Sequence, residues 1–269
     1  MPRLIIPVAL WTLFMMSSVA SAQLIIAHRG ASFDAPENTL AAFRLAWEQG
    51  ADGIEGDFYL SKDGEVVCIH DRTTKRTAGE DLVVAESTLA ELRKLDVGAW
   101  KNPRYKGERI VTLAEVLETL PEGKLFYIEL KVGPEIVAPV KRILENSSVK
   151  PEQIGIIAFN RDTIREVREQ LPHLRAHWLT GYKKSGDSYE PSAEQLAATL
   201  QSTGATGLGS QANRDAFSPE VIAKLREGGM KEYHVWTIND AETAKFYQAL
   251  QPFSITTDRP ADMRKWLGQ

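Results

Sequence analysis

The sequence predicts a (β/α)8 barrel. Apolar, β-rich runs alternate with amphipathic helical stretches along most of the chain, the pattern of a parallel sheet. Nine such runs occur, one more than the barrel needs, and the second and third are joined by a link too short for a parallel crossover. The third run therefore folds back on the second, and eight remain. The 269 residues suit one such barrel, for which about 250 are typical. A doubly wound open sheet is the other architecture that alternation allows.

Residues 1–22 stand outside the pattern. Arg3 precedes an apolar stretch from Leu4 to Met16, and Ala20-Ser21-Ala22 fits a small-residue cleavage site. The apolar part falls short of the ~20 residues a membrane span needs. No Cys follows the cleavage site, so no lipid anchor is expected there. The expectation is a signal peptide over 1–22 and one barrel domain over 23–269, exported, and periplasmic if the source is a Gram-negative bacterium. No stable membrane span is expected after cleavage.

The first strand is expected at 24–27. The helix 37–49 follows, with Leu40, Phe43 and Trp47 on one face and Gly50 as its stop. The second strand is 53–58. Asp63-Gly64 is a hairpin signal, so 66–70 returns antiparallel. Residues 71–110 lack clean periodicity and read as an insertion over the barrel with one short helix near 89–95. Thr112 and Glu115 form a capping box for a helix over 113–120, which Pro121 ends. The remaining strands are expected at 125–130, 154–159, 174–179, 206–210, 233–238 and 253–257. Helices are expected at 135–146, 161–171, 192–203, 218–227 and 240–250. The polar stretch 181–191 reads as an exposed connection.

Composition narrows the function. The net charge is −4 and no basic run exceeds Lys183-Lys184, so there is no footprint for nucleic acid. Cys68 is the only cysteine, which excludes an internal disulfide, and its apolar neighbours mark it as core rather than nucleophile.

In a (β/α)8 barrel, chemistry sits at the C-terminal strand ends. There the sequence places His28-Arg29, Glu55 and Asp57, Glu129 and Lys131, Phe159-Asn160, Trp236, and Thr257-Asp258. Alternation puts Glu55 and Asp57 on one face, and Glu129 and Lys131 likewise. Buried together, the carboxylates would repel and lose hydration, which a hard divalent cation relieves. The donor set Glu55, Asp57 and Glu129 suits Mg2+ or Ca2+. The hairpin returns His70 to their level, opposite Asp57, or opposite Gly56 if its loop is one residue longer. Two histidines and the cationic pair Arg29 and Lys131 describe acid/base chemistry on an anion. Singly, Lys131 reads as an ion-pair partner of Glu129 and Trp236 as core packing; convergence on one rim reverses that. His173, His177 and His234 read as structural.

The ordered pieces His28-Arg29-Gly30, Pro36-Glu37-Asn38-Thr39, Glu55-x-Asp57, Lys62-Asp63-Gly64, His70-Asp71, Glu129-Leu130-Lys131, Val235-Trp236-Thr237 and Thr257-Asp258-Arg259-Pro260 run from residue 24 to 260. With them the chain resembles the glycerophosphodiester phosphodiesterase family. The resemblance implies that His28 and His70 are the catalytic acid/base pair and that Glu55, Asp57 and Glu129 bind one divalent cation. It further implies that Arg29 and Lys131 hold the phosphate, and that Phe159 and Trp236 wall the glycerol end. Glu37-Asn38-Thr39 reads as structural, opening the first helix. The implied substrate is a small glycerophosphodiester such as glycerophosphocholine or glycerophosphoethanolamine, cleaved to glycerol 3-phosphate and an alcohol. The competing readings are a phospholipase D-like or sphingomyelinase D-like lyase on lipids, and a non-catalytic exported phosphodiester-binding protein. Against the lyase, Trp100 and Tyr105 read as isolated aromatics within a charged insertion.

Overall fold

The computed structural model describes residues 23–269, and the leader expected at 1–22 lies outside the described residues. Eight parallel strands form a ring. They are β1 (Leu24–Ala27), β2 (Gly53–Leu60), β3 (Leu125–Leu130), β4 (Ile154–Ala158), β5 (Arg175–Thr180), β6 (Gly207–Gln211), β7 (Glu232–Trp236) and β8 (Ser254–Thr257). Ala27 of β1 pairs with Ile54 of β2 on one side and Thr257 of β8 on the other, which closes the ring and rules out the open sheet.

A helix follows each strand: α1 (Leu40–Glu48), α2 (Leu113–Leu117), α3 (Val137–Glu145), α4 (Arg161–Gln170), α5 (Ala193–Thr203), α6 (Pro219–Glu227), α7 (Ala241–Ala249) and α8 (Pro260–Leu267). The starts are set by side-chain caps. Thr39 accepts from the Ala42 amide, so α1 begins after the expected residue 37. Thr112 and Glu115 make the expected reciprocal box, although α2 is shorter than 113–120. The sequence reading passed over α8. Its signal was present: Pro260 at the first helical position and Met263 and Leu267 four apart, all buried. From α8, Arg264 reaches the Gly50 carbonyl and Asp52 at 2.9 Å, tying the C-terminal helix to the entry of β2.

The return strand is Val66–Cys68, shorter than 66–70, with Phe58 opposite Cys68 and Leu60 opposite Val66. Its loop is Lys62-Asp63-Gly64, with Gly64 at φ 81, so the longer-loop register holds and Gly56 is level with His70. The insertion holds more than the one expected short helix. Helical turns at Lys75–Ala78 and Leu89–Leu92 are joined by two 3-10 turns, Val84–Glu86 and Pro103–Tyr105. It has its own small core of Val84, Leu92, Val97 and Ile110 against Tyr59, Val67 and Ile69. The connection at 181–191 is exposed as expected, but contains a small hairpin, Lys183–Ser185 with Ser188–Glu190.

The barrel interior is unusually polar below the site. His177 and His234 stack with ring centroids 5.4 Å apart, and Tyr127 stacks on His234 at 4.8 Å. The two imidazoles share an Nδ1···Nδ1 hydrogen bond of 3.2 Å. Glycines on the facing strands make room: a Cβ on Gly207 would lie 2.7 Å from the His177 ring, and one on Gly155 would lie 2.5 Å from Tyr127. His177 and His234 are thus buried in the core, whereas His173 is exposed.

Burial, with His177 beside it, holds the His234 imidazole well below 6.5 and neutral. The unfolded chain takes up that proton near 6.5. Stability from this group is therefore complete above that pH and is lost as the pH falls below it. The urea midpoint should fall between about pH 7.5 and 5.5, this residue contributing at most about 1.4 kcal/mol per pH unit. His234→Gln should flatten that fall; an identical slope in both proteins would remove the claim.

Candidate active site

Three carboxylates meet at the C-terminal mouth. Alternation along β2 turns Glu55 and Asp57 inward, and the β2–β3 register sets Asp57 directly opposite Glu129. One oxygen from each lies within 4.8 Å of the others. Burial and the charges of Asp57 and Glu129 push Glu55 well above the usual carboxylate range. Burial and Asp57 push Glu129 upward too. Burial also works against the Asp57 carboxylate, but Arg29 and Lys131 overcome it and hold Asp57 down at about 2. Glu55 Oε1 is buried without a hydrogen bond among the described residues. An orphaned oxygen in a tight all-oxygen triad fits a hard divalent cation.

The cations are not free. Arg29 leaves β1 at φ 55, a left-handed conformation that a non-glycine side chain adopts at a cost. Its amide donates to Glu55 at 2.9 Å, its Nη1 to Glu37 at 3.0 Å, and its Nε lies 3.1 Å from Asp57. Lys131 Nζ donates to Glu129 at 2.8 Å and lies 3.2 Å from Asp57. The hold on phosphate expected of Arg29 therefore competes with two carboxylates already in contact with its guanidinium.

Asn38 is also left-handed, at φ 59. Its Nδ2 donates to Asp57 at 2.9 Å, and its Oδ1 accepts from the Asp57 amide at 3.2 Å and from Cys68 at 3.3 Å. The box before α1 thus divides. Thr39 is the cap that was expected, whereas Glu37 and Asn38 serve the site. Cys68 is buried core, packed with Phe43 against Gly56, where a Cβ would be 3.2 Å from Phe43 and 3.4 Å from Cys68.

The histidines arrive from different elements and share one arrangement. His28 Nδ1 bonds Asp258 at 2.6 Å, and Nε2 is 4.0 Å from Glu55. Asp258 also accepts from Ser32 at 2.9 Å and Asn239 at 2.5 Å. Burial works against its charge, yet the contacts from His28, Ser32 and Asn239 hold it down at about 2. His70 Nδ1 bonds Asp71 at 2.7 Å, and Asp71 accepts from Arg76 at 2.6 Å. Burial lowers the His70 pKa, and Arg29 and Lys131 add to that against Asp57 and Asp71. Strict alternation from Cys68 would have turned His70 outward; regular pairing stops at Cys68, and the chain bends to bring it to the cavity. The sequence reading gave Asp258 and Asp71 no role, although both flank residues that it singled out.

One cavity of about 180 Å3 gathers His28, Arg29, Glu55, His70, Glu129 and Lys131. Phe159 and Trp236 wall its far side, edge to face at 5.6 Å, and His234 lines it too. Every residue singled out for the site lines it except Asp57, which lies behind Arg29 and Lys131.

Residues 28–262 match the glycerophosphoryl diester phosphodiesterase family. The chain belongs to that family. A glycerophosphodiester phosphodiesterase of Caldanaerobacter subterraneus is 43% identical over 157 residues, covering 56% of this chain and 64% of the relative. The enzyme of that name from Bacillus subtilis is 30% identical over 233 residues, covering 81% and 77%. Among solved structures, an Oleispira antarctica phosphodiesterase in complex with the product sn-glycerol-3-phosphate superposes with a TM-score of 0.80 at 27% identity, covering 91% of this chain and 97% of that one. Family membership makes this barrel a hydrolase of the phosphodiesterase class.

The carboxylate triad predicts a thermal signature. Mg2+ or Ca2+ should raise the melting temperature of the wild type by a few degrees. Glu55→Gln removes one of three like charges, so the cation-free variant should melt no lower than the wild type and should not respond to added cation. A wild type indifferent to both cations would exclude the site.

Proposed function

We propose that this family member hydrolyses glycerophosphodiesters to glycerol 3-phosphate and an alcohol, with His28 and His70 moving the protons. The observation that supports this best is the pair of imidazoles, each fixed at Nδ1 by a carboxylate, flanking one cavity that also holds the triad. Tying Nδ1 to Asp258 or Asp71 leaves Nε2 as the working nitrogen of each ring. One imidazole takes the proton of the attacking oxygen, from water or from the substrate's own glycerol hydroxyl; the hydroxyl would give a cyclic phosphate, which a water then opens to glycerol 3-phosphate with the two imidazoles exchanging roles. The other returns a proton to the alcohol oxygen as its bond to phosphorus breaks, so the proton count balances.

A divalent cation bound by Glu55, Asp57 and Glu129 would neutralise their charge and the charge that grows on phosphate. Lys131 and Arg29 add fixed positive charge at the same place, and Arg29 also holds Glu37 and Asp57 in position. Phe159 and Trp236 offer the glycerol arm an apolar wall that excludes water.

A second reading has one observation in its favour. Trp100 is not isolated: it is 44% exposed, and Lys101 lies over both its ring and that of Phe33, itself 48% exposed. Such a rim patch suits a lipid surface. One assay separates the readings. Glycerol 3-phosphate should be released from glycerophosphocholine, stop with chelator, and drop at least about 100-fold in folded His28→Ala or His70→Ala. Lysophosphatidylcholine as the better substrate would favour the lipid reading.

We further propose export through the leader at 1–22. No described helix is long and apolar enough to cross a membrane. Expressed in a bacterium, the mature protein should start at Gln23 by N-terminal sequencing; retention of Met1 in the exported fraction would contradict cleavage.

A further inference from the structure

The catalytic cavity is small. At about 180 Å3 it lies below the roughly 300–1,000 Å3 usual for small-molecule pockets. A phosphodiester has two arms that leave phosphorus in different directions. If the glycerol arm lies against Phe159 and Trp236, the alcohol arm must leave elsewhere. His70 and Lys131 belong to both the cavity and a second, wider cleft of about 750 Å3, which Tyr59, Arg72, Lys75 and Arg76 also line.

This second cleft is cationic. Its lining carries Arg72, Lys75, Arg76 and Lys131 against the single carboxylate of Asp71. Arg76 is committed to Asp71 and to both oxygens of Glu37. Lys75 lies 3.4 Å from Asp81, and both side chains are well exposed. Arg72 differs: its carbonyl accepts from the Val84 amide, but its guanidinium has no hydrogen bond or ion pair among the described residues. Arg72 lines the cleft together with Tyr59. An unpartnered guanidinium beside the exit of a phosphodiester site is a ready bidentate partner for a second anion.

We infer that the Arg72 cleft receives the alcohol arm of the substrate and favours head groups that carry their own negative charge, a phosphorylated polyol above all, over cationic choline. This rests on the hydrolase reading above and adds the substrate class to it. Choline would set its quaternary ammonium among like charges, whereas a phosphate there would meet Arg72.

The test compares kcat/KM for glycerophosphoinositol 4-phosphate, glycerophosphoinositol and glycerophosphocholine. The first and second differ only in the head-group phosphate. Wild type should prefer the phosphorylated compound over its parent by roughly fivefold and should turn over the choline compound least. Arg72→Glu should cancel or invert the preference, mainly through KM, and Arg72→Lys should keep most of it. Added salt should compress the difference. An unchanged ratio in Arg72→Glu, or a wild type that prefers choline, overturns the inference while leaving the hydrolase intact. Failure of the folded, cation-supplied wild type to cleave any of the three overturns the hydrolase reading, and this inference with it.

Discussion

The structure is organised around Asp57. It is buried with Glu55 beside it on β2 and Glu129 opposite on β3, a concentration of negative charge that would cost several kcal/mol per ion if left unanswered. The answer is local and positional. Arg29 and Asn38 each take a left-handed backbone conformation and each reach Asp57, and the Asn38 amide donates to the Arg29 carbonyl at 3.0 Å. Lys131 comes from the far end of β3. The strain at these two positions of the β1–α1 loop is held by the charge that they surround, as where backbone outliers cluster at working sites.

From that centre the contacts run outward without a break. Arg29 meets Glu37, Glu37 meets Arg76, Arg76 meets Asp71, and Asp71 holds His70. This chain fastens the insertion to the barrel, and the Val84–Leu92–Ile110 core supports it from behind. On the other side Asp258 gathers His28, Ser32 and Asn239, so β8 and the loop after β7 fix the first histidine. Both imidazoles are thus set by carboxylates that partners on other elements hold in turn.

Below the site the barrel departs from an all-apolar filling. His177, His234 and Tyr127 stack across it, with Glu232 3.3 Å from His177 at the lower side. Each is large, and the neighbouring inward positions on β4 and β6 are glycine, so packing density is kept by pairing ring with absent side chain. His234 belongs to this layer and to the cavity above it, so the floor of the site is built from the core itself.

Much of this was written locally. Period-two alternation put Glu55 with Asp57 and Glu129 with Lys131 on shared faces. Asp63-Gly64 announced the return strand, and the capping residues announced the helices, because each effect acts over a few residues. What local pattern could not give was partnership across the chain. His28 and Asp258 are 230 residues apart, and Asp57 meets Glu129 only through the β2–β3 register. Glu37 and Asn38 read as helix-opening residues because their charged and amide partners sit on other elements. The direction of His70 depends on where pairing with β2 stops, at Cys68. Sequence determined which groups face the mouth of the barrel; closure of the ring determined which of them touch, because only closure sets distances between residues that the chain itself keeps far apart.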